Sequence, residues 1–339
     1  MLVFKTIKVF NLISNLLLMQ NLTINTDKAK EVAIILFEKF NFGEGIFGHK
    51  TMPEDVIPET AKWGSPIPSI ESTYEHLMFI TLVVSIDYQR DANQLWEAGR
   101  KTFEDDETKW LFYPSQLIKK SAEDIIKSMK KHKLSKKHTQ DANIWRRVST
   151  SFLEQYDSDP LNLIKECYHD AMKIYNKKFD LRFKTSFPFL SGNKIFPLWI
   201  RMLHDNIGIK LKNMDKIPIP VDVHIARATF TTGCLNGDYE GSISDVFPKI
   251  DDAWEKTIQK VNHPKLSYRA QLDEPLWHLS KYGCRFRKGN TCPNRSVCPV
   301  KTFCVDGIVK VSAKRVLIKT GLKSNEKTSV DNFLFTKKE

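Results

Sequence analysis

Lys194 has the residue type and the surroundings of a nucleophile. It follows Gly192 and Asn193 in the apolar stretch SFPFLSGNKIFPLWI. A neutral lysine amine can attack an electrophilic carbon and form a Schiff base. Apolar surroundings disfavour the charged form of a lysine and so favour this chemistry. We therefore take Lys194 as the candidate nucleophile, and the alternative is a surface lysine at the start of a helix.

Asp222 is the second candidate. It stands in IPIPVDVHIAR, where two prolines before an aspartate predict a helix that begins at Val223 and is capped by Asp222. The N–H groups at a helix N-terminus favour an ionised carboxylate. Such a carboxylate can stabilise positive charge that develops on a substrate. The alternative is that Asp222 serves only as the helix cap.

Four cysteines crowd into one loop near the end of the chain. Cys284, Cys292, Cys298 and Cys304 have seven, five and five residues between successive members. Without a convincing export signal, such crowding favours a metal over disulfides. Four thiolates suit a four-iron cluster or a tetrahedral zinc ion, and spacing alone does not distinguish them. Structural disulfides are the third alternative.

The same loop also carries positive charge. Arg285, Arg287 and Lys288, with Arg295 and Lys301, lie between or beside its cysteines. Cations on a loop held by metal could face a phosphate backbone. We therefore expect the loop to be structural and to dock DNA, and not to be the reaction centre.

The net charge points to an anionic partner. The chain has 52 Lys and Arg against 40 Asp and Glu, a formal charge of +12. This excess favours nucleic acid, with an anionic membrane surface second. The opening Met1 to Met19 is too interrupted for a membrane span and lacks a small-residue cleavage site. We expect a short extension or a start placed too early, no membrane association, and a cytoplasmic protein in a prokaryote or a nuclear one in a eukaryote.

Helical periodicity dominates the chain and predicts an all-α fold. The segment from Asp27 predicts a helix that ends near Gly43, and YEHLMFITLVVSI predicts a buried helix that stops at Asp87. Asp87 or Ser85 would cap the next helix. Residues 113–132 and 159–178 each predict one helix, and a helical hairpin is expected at about 186–204.

The predicted domain organisation has four parts. Residues 1–20 form an extension, 21–280 a helical core of two lobes, 281–306 the four-cysteine loop, and 307–339 a tail. The tail alternates weakly in GIVKVSAKRVLIK, which is compatible with a strand, an arm or a frayed end.

The order of these signals resembles the helix-hairpin-helix DNA glycosylase superfamily, which includes endonuclease III and the 8-oxoguanine glycosylases. The resemblance covers roughly Tyr74 to Cys304. Gly192, Asn193 and Lys194 fall in the hairpin pattern, and IPIPVDVHIAR is particularly similar to the archaeal 8-oxoguanine type. Leu190 occupies the usual first glycine of the turn, and the archaeal type generally lacks the cysteine loop.

The resemblance implies a base-excision glycosylase with AP lyase activity, acting through a Lys194 Schiff base assisted by Asp222. It implies a 4Fe-4S cluster in the cysteine loop, with zinc as the alternative. The partner would be double-stranded DNA containing a damaged base, bound by a monomer. An oxidised base is expected, 8-oxoguanine first and thymine glycol or other oxidised pyrimidines second.

The resemblance also suggests DNA contacts. Gly192, Asn193 and His224 would hold phosphates, and Tyr88 and Gln89 resemble the wedge that fills the space of the extruded base. Such an enzyme also needs an aromatic pocket for that base. The stacking candidates are Trp63, Trp96, Trp199 and Trp277. The alternatives from other classes are a DNA-binding module without catalysis and a zinc-stabilised RNA- or tRNA-binding protein.

Overall fold

The computed structural model of the chain describes residues 21–48, 51–58 and 70–320, with the backbone alone for 70–73. Most of these residues are helical, as predicted, and short strands accompany the helices. The predicted extension 1–20, Trp63 and the last part of the tail, 321–339, lie outside the described residues. None of the described helices is long and apolar enough to cross a membrane.

The chain divides into two compact units. One combines Met1–Lys50 with Val221–Glu339, and we call it the discontinuous unit; the other is Thr51–Pro220, which we call the continuous unit. The helices are α1 Thr26–Phe42, α2 Ile70–Ser85, α3 Ala92–Glu104, α4 Pro114–Leu117, α5 Ala122–Lys131, α6 His138–Tyr156, α7 Pro160–Glu166, α8 Ala171–Asn176, α9 Leu181–Ser186, α10 Ile195–Asp205, α11 Val223–Thr231, α12 Ile243–Ile258 and α13 Asp273–Tyr282. The strands are β1 Thr23–Ile24, β2 Leu235–Asn236, β3 Tyr239–Ser242, β4 Gly307–Val311 and β5 Arg315–Thr320.

The continuous unit is built around α2. Its residues from Leu77 to Val84 are at most 1% exposed, which agrees with the buried helix predicted from its apolar sequence. Helices α3, α6, α7 and α10 pack against it. The hairpin α9–α10 is therefore attached to the core of this unit through its second helix.

Two predicted helices of this unit are each divided in two. The segment 113–132 breaks at Ser121, whose side chain forms a capping box with Asp124 and starts α5. The segment 159–178 breaks before Asp170, whose carboxylate accepts from the N–H groups of Met172 and Lys173 and starts α8. Local side-chain caps thus outweighed the helical periodicity at both points.

The start of α3 also differs from the prediction. Its cap is Asp91, whose carboxylate accepts from Gln94 N at 3.3 Å, and not Asp87 or Ser85. Ser85 instead donates to Leu82 O within α2. This correction leaves Asp87 outside the helices, in the loop after α2.

The discontinuous unit packs α1, α11, α12 and α13 together. Helix α1 begins at Thr26, one residue before the predicted Asp27, and its cap is the side chain of Asn25. It stops at Gly43 as predicted, with φ +64. Strand β1 pairs with β2, so the start of the described chain joins a segment more than 200 residues later. This pairing attaches the segment before α1 to the rest of the unit.

The tail after the cysteine loop is a pair of strands. β4 and β5 are antiparallel, and β5 also pairs with β3, so that β5 is the central strand of a three-stranded sheet. Ile318 of β5 lies opposite both Val309 and Tyr239. Of the three alternatives for the tail, the strand is correct for residues 307–320.

Candidate functional site

The turn between α9 and α10 is tight and depends on Gly192. Ser191 donates to Phe187 O from both its backbone N, at 3.0 Å, and its Oγ, at 2.8 Å. Gly192 N donates to Phe189 O at 2.9 Å. A Cβ at position 192 would lie 2.8 Å from that same oxygen, which is too close. Glycine is therefore required by the close approach of the backbone, and its N–H is used inside the turn.

Lys194 occupies the cap position of α10, directly after this turn. Its side chain is 33% exposed, and its Nζ lies 3.7 Å from Oδ2 of Asp87, a residue that is 7% exposed. Ile195 and Phe196, the next residues, are buried as the apolar sequence predicted. The environment of Lys194 thus includes a buried carboxylate as well as apolar side chains. The exposed Asn193 stands beside it.

Sequence analysis missed the relation of Asp87 to Lys194. Asp87 was interpreted as a helix cap, and the two residues are more than 100 positions apart. The available signal was a charged side chain directly after the long apolar run that ends this helix. Such a charge is costly to bury unless another group pairs with it.

The loop after α2 is anchored on two sides. Tyr88 stacks on Phe189 of the hairpin turn with ring centroids 4.6 Å apart, and its hydroxyl donates to Asp141. The fully buried Asp141 also accepts from Arg90 Nη2 at 2.6 Å. The carbonyl of Gln89 and its Oε1 each accept from a lysine amine of the segment before α6 at 3.0 Å. The predicted wedge residue Gln89 is exposed on a fixed loop, with φ +51.

Asp222 caps α11, as the sequence predicted. Its Oδ1 accepts from His224 N at 2.7 Å and from Ile225 N at 3.0 Å. His224 lies against α13, with Nδ1 3.2 Å from Ser280 Oγ and its ring 5.3 Å from that of Trp277. The two predicted site residues of this helix are therefore brought together at its first turn.

Arg227 ties α11 to its neighbours in the discontinuous unit. Nη1 donates to Ser280 Oγ at 3.1 Å and Nη2 to the Val311 carbonyl at 2.8 Å. Burial lowers the pKa of Arg227, while Cys284 and then Asp222 oppose that shift. Sequence analysis did not single out Arg227, although it lies one turn after Asp222.

All four loop cysteines line one cavity of about 230 Å³. Each is a free cysteine, which does not favour the disulfide alternative. Burial and then the neighbouring thiols of Cys298, Cys304 and Cys292 raise the pKa of Cys284. Burial, as the main cause, also raises the pKa of Cys298 to about 11. The described residues include no group of three or more His, Cys, Asp or Glu that could hold a metal ion as they stand.

The basic residues of this loop differ in their surroundings. Arg285 and Lys288 are exposed, and the Arg285 guanidinium lies 5.3 Å from the Phe286 ring centroid. Arg287 is half-buried and lines the cysteine cavity. Arg285 and Lys288 thus have the exposure that a phosphate contact needs, whereas Arg287 is turned toward the loop itself.

The tryptophan candidates also separate. Trp96 and Trp199 are at most 1% exposed, and Trp199 Nε1 donates to Thr81 Oγ1 at 2.9 Å within the core of the continuous unit. Both are core residues, so the stacking role suggested for them is not favoured. Trp277 is half-buried beside His224.

The predicted catalytic residues lie in different units, Lys194 in the continuous one and Asp222 in the discontinuous one. In comparisons with known proteins, no family model matches the chain and no curated sequence is significantly similar to it.

Proposed function

We propose that the chain is a DNA glycosylase with AP lyase activity that removes an oxidised base, with 8-oxoguanine as the first substrate to test. The observation that carries the proposal is the hairpin, in which a turn that only glycine fits leads directly into Lys194 at the start of α10. The resemblance of IPIPVDVHIAR to the archaeal 8-oxoguanine type supports the substrate.

Lys194 would be the nucleophile. Its neutral amine attacks C1′ of the deoxyribose, the new N–C1′ bond forms, and the bond from C1′ to the base breaks with its electrons leaving on the base. Loss of a proton from nitrogen and opening of the sugar give a Schiff base. Removal of a C2′ proton then expels the 3′ phosphate. Before the attack the ammonium must lose a proton, and Asp87, whose Oδ2 lies 3.7 Å from Nζ, is the nearby carboxylate that would accept it.

Asp222 would stabilise the positive charge that develops on the sugar as the base departs. Two backbone N–H groups fix its Oδ1, and hydrogen bonds of this kind favour an ionised carboxylate. A charge held by the backbone needs little reorganisation during the reaction. This supports a catalytic use of the cap.

Double-stranded DNA with a damaged base is the proposed partner, bound by a monomer. Asn193, His224 and Gln89 remain the proposed contacts, together with Arg285 and Lys288. Gly192 would contribute by the shape of the turn, because its N–H already donates to Phe189 O.

The four cysteines would hold a 4Fe-4S cluster, with zinc as the alternative. They are free, they line one cavity, and Arg287, Arg295 and Lys301 around that cavity offset the negative charge of a thiolate-bound centre. Since no group is ready to hold a single ion, the thiols would move inward when metal binds. The cluster would supply structural support for the loop and take no part in base removal.

Borohydride trapping tests the enzymatic proposal. The purified chain is incubated with a duplex containing one 8-oxoguanine and reduced, and Lys194→Ala is compared with Lys184→Ala, an exposed lysine of α9. We expect a covalent protein–DNA band that is lost in Lys194→Ala and retained in Lys184→Ala.

The other outcomes of this experiment have defined meanings. Trapping only on thymine glycol or on an abasic site would keep the enzyme class and overturn the substrate. No trapping on any of these duplexes, with DNA binding retained, would overturn AP lyase activity and favour an enzyme that only removes the base or a non-catalytic nucleic-acid-binding protein. Iron and sulfide analysis of the same sample tests the cofactor. Its visible absorption gives the same distinction, because an iron–sulfur protein is coloured and a zinc protein is not.

A further inference from the structure

Arg287 closes the base of the cysteine loop. Its Nε donates to Gly289 O at 2.7 Å, and its Nη2 donates to Val305 O. Asn290 supports the same closure, since its Oδ1 accepts from Gly307 N at 2.9 Å. The two ends of the loop are thereby joined directly before β4.

The third nitrogen of the same guanidinium takes no part in closing the loop. Nη1 of Arg287 is buried and has no hydrogen-bond partner among the described residues. A buried N–H donor of a charged group without a partner is costly, and its retention needs an explanation. Arg287 lines the cavity that the four cysteines share. The acceptor that this donor lacks would therefore be a group inside that cavity.

The geometry points to Arg287 as a donor to the metal centre: Nη1 donates a hydrogen bond to a sulfur of the cysteine-bound cluster, while Nε and Nη2 hold the loop closed. This inference rests on the cofactor proposed above. It replaces the DNA contact expected for Arg287 from its place in the sequence. Arg285 and Lys288 keep that expectation because they are exposed.

A hydrogen bond from a cation to a cluster sulfur has a measurable effect. Such donors are among the groups that set the reduction potential of an iron–sulfur cluster. Positive charge and hydrogen bonding stabilise the more negative, reduced state, so they raise the potential. A residue that only closed the loop would change the release of metal and leave the potential of the intact cluster unmoved.

The test compares Arg287→Gln and Arg287→Lys with Arg285→Gln as the matched control. In each purified full-length protein we would measure iron and sulfide content, the midpoint potential, the rate of bleaching by a chelator, and the salt dependence of DNA affinity. We expect Arg287→Gln to have a more negative potential and several-fold faster bleaching, with an unchanged salt slope. Arg285→Gln should keep the potential and lose about one unit of salt slope.

Arg287→Lys keeps the positive charge, and it replaces Arg287→Gln in the test if that variant does not fold. Its potential should lie between those of the wild type and Arg287→Gln, because the three N–H groups of an ammonium leave one nitrogen and cannot reach acceptors spread around a planar guanidinium. A wild-type potential in both variants, or a loss of salt slope in Arg287→Gln, would overturn the inference while leaving the cofactor in place.

If the wild-type protein contains no iron, the proposal of an iron–sulfur cluster is wrong. If it holds zinc, zinc release from Arg287→Gln should be faster than from Arg285→Gln, and equal rates would contradict the donor role. If it holds no metal, both the cofactor and the inference fail.

Discussion

Asp222 combines two properties in one carboxylate. As a cap it satisfies two N–H groups at the start of α11, and in the proposed mechanism its negative charge would stabilise the sugar. Asparagine caps a helix about as well as aspartate but carries no charge. The two properties can therefore be separated by two substitutions at the same position.

We expect Asp222→Asn to melt close to the wild type and to lose base excision by about 100-fold or more, because only the charge is removed. Asp222→Ala should lose activity and also about 1 kcal/mol of stability, because the cap is lost. Thermal melting and single-turnover base release check both. If Asp222→Asn excised the base at the wild-type rate, Asp222 would be a cap alone.

The cap formed by Asp222 could be predicted from the sequence, whereas the carboxylate beside Lys194 could not. The difference has a physical reason. The cap depends on residues within three positions of Asp222, so local rules suffice. The carboxylate beside Lys194 comes from Asp87, at the end of another helix. Such a pair depends on how α2 and α10 pack, which periodicity does not specify.

At the level of elements, the backbone of the hairpin turn is tightly packed on itself. Its central carbonyl, Phe189 O, accepts from Gly192 N and leaves no room for a side chain at that position. Phe189 itself has φ +62 and stacks on Tyr88 of the loop after α2. The turn and the loop therefore hold each other in position within the continuous unit.

Gly192→Ala should disturb this arrangement. The added Cβ would meet a backbone atom, which cannot rotate away, so we expect a loss of about 1–3 kcal/mol in stability and a marked fall in Schiff-base trapping. Asn193→Ala, at the exposed neighbouring position, is the control for stability. Melting and trapping of Gly192→Ala at the wild-type level would show that the turn tolerates a side chain.

Element boundaries followed this division only in part, because the caps at Ser121 and Asp170 are local signals that the sequence analysis missed. The buried character of α2 and the end of α1 at Gly43 were predictable, because a continuous apolar run and a C-terminal glycine are strong local signals. The tail could not be assigned, since β5 is stabilised by pairing with β3, more than 70 residues earlier. The weak alternation became a strand through pairing with β3 as well as with the neighbouring β4.

At the level of the whole molecule, β5 joins distant parts of the discontinuous unit. Ile318 is 1% exposed and stands in the central strand, opposite residues of both neighbouring strands. The cysteine loop leads directly into β4 of the same sheet. The sheet therefore fixes the end of the cysteine loop.

Ile318→Ala should destabilise this unit by about 2–5 kcal/mol, as expected for truncation of a buried aliphatic side chain. Lys314→Ala, an exposed position before β5, should change stability little. Urea denaturation followed by far-ultraviolet circular dichroism compares the two variants. Equal midpoints would mean that β5 contributes nothing to the stability of the unit.

The division of the chain also sets an order of synthesis. Strand β1 and helix α1 are synthesised before Thr51–Pro220, whereas their partners β2 and α12 follow only after all of that segment has been made. At about 5–20 residues per second this takes roughly 10 to 30 s. During that interval the continuous unit can fold, whereas the apolar face of α1 cannot yet pack against α12. The segment that begins the discontinuous unit therefore remains without β2 and α12 until the whole of the continuous unit has been made.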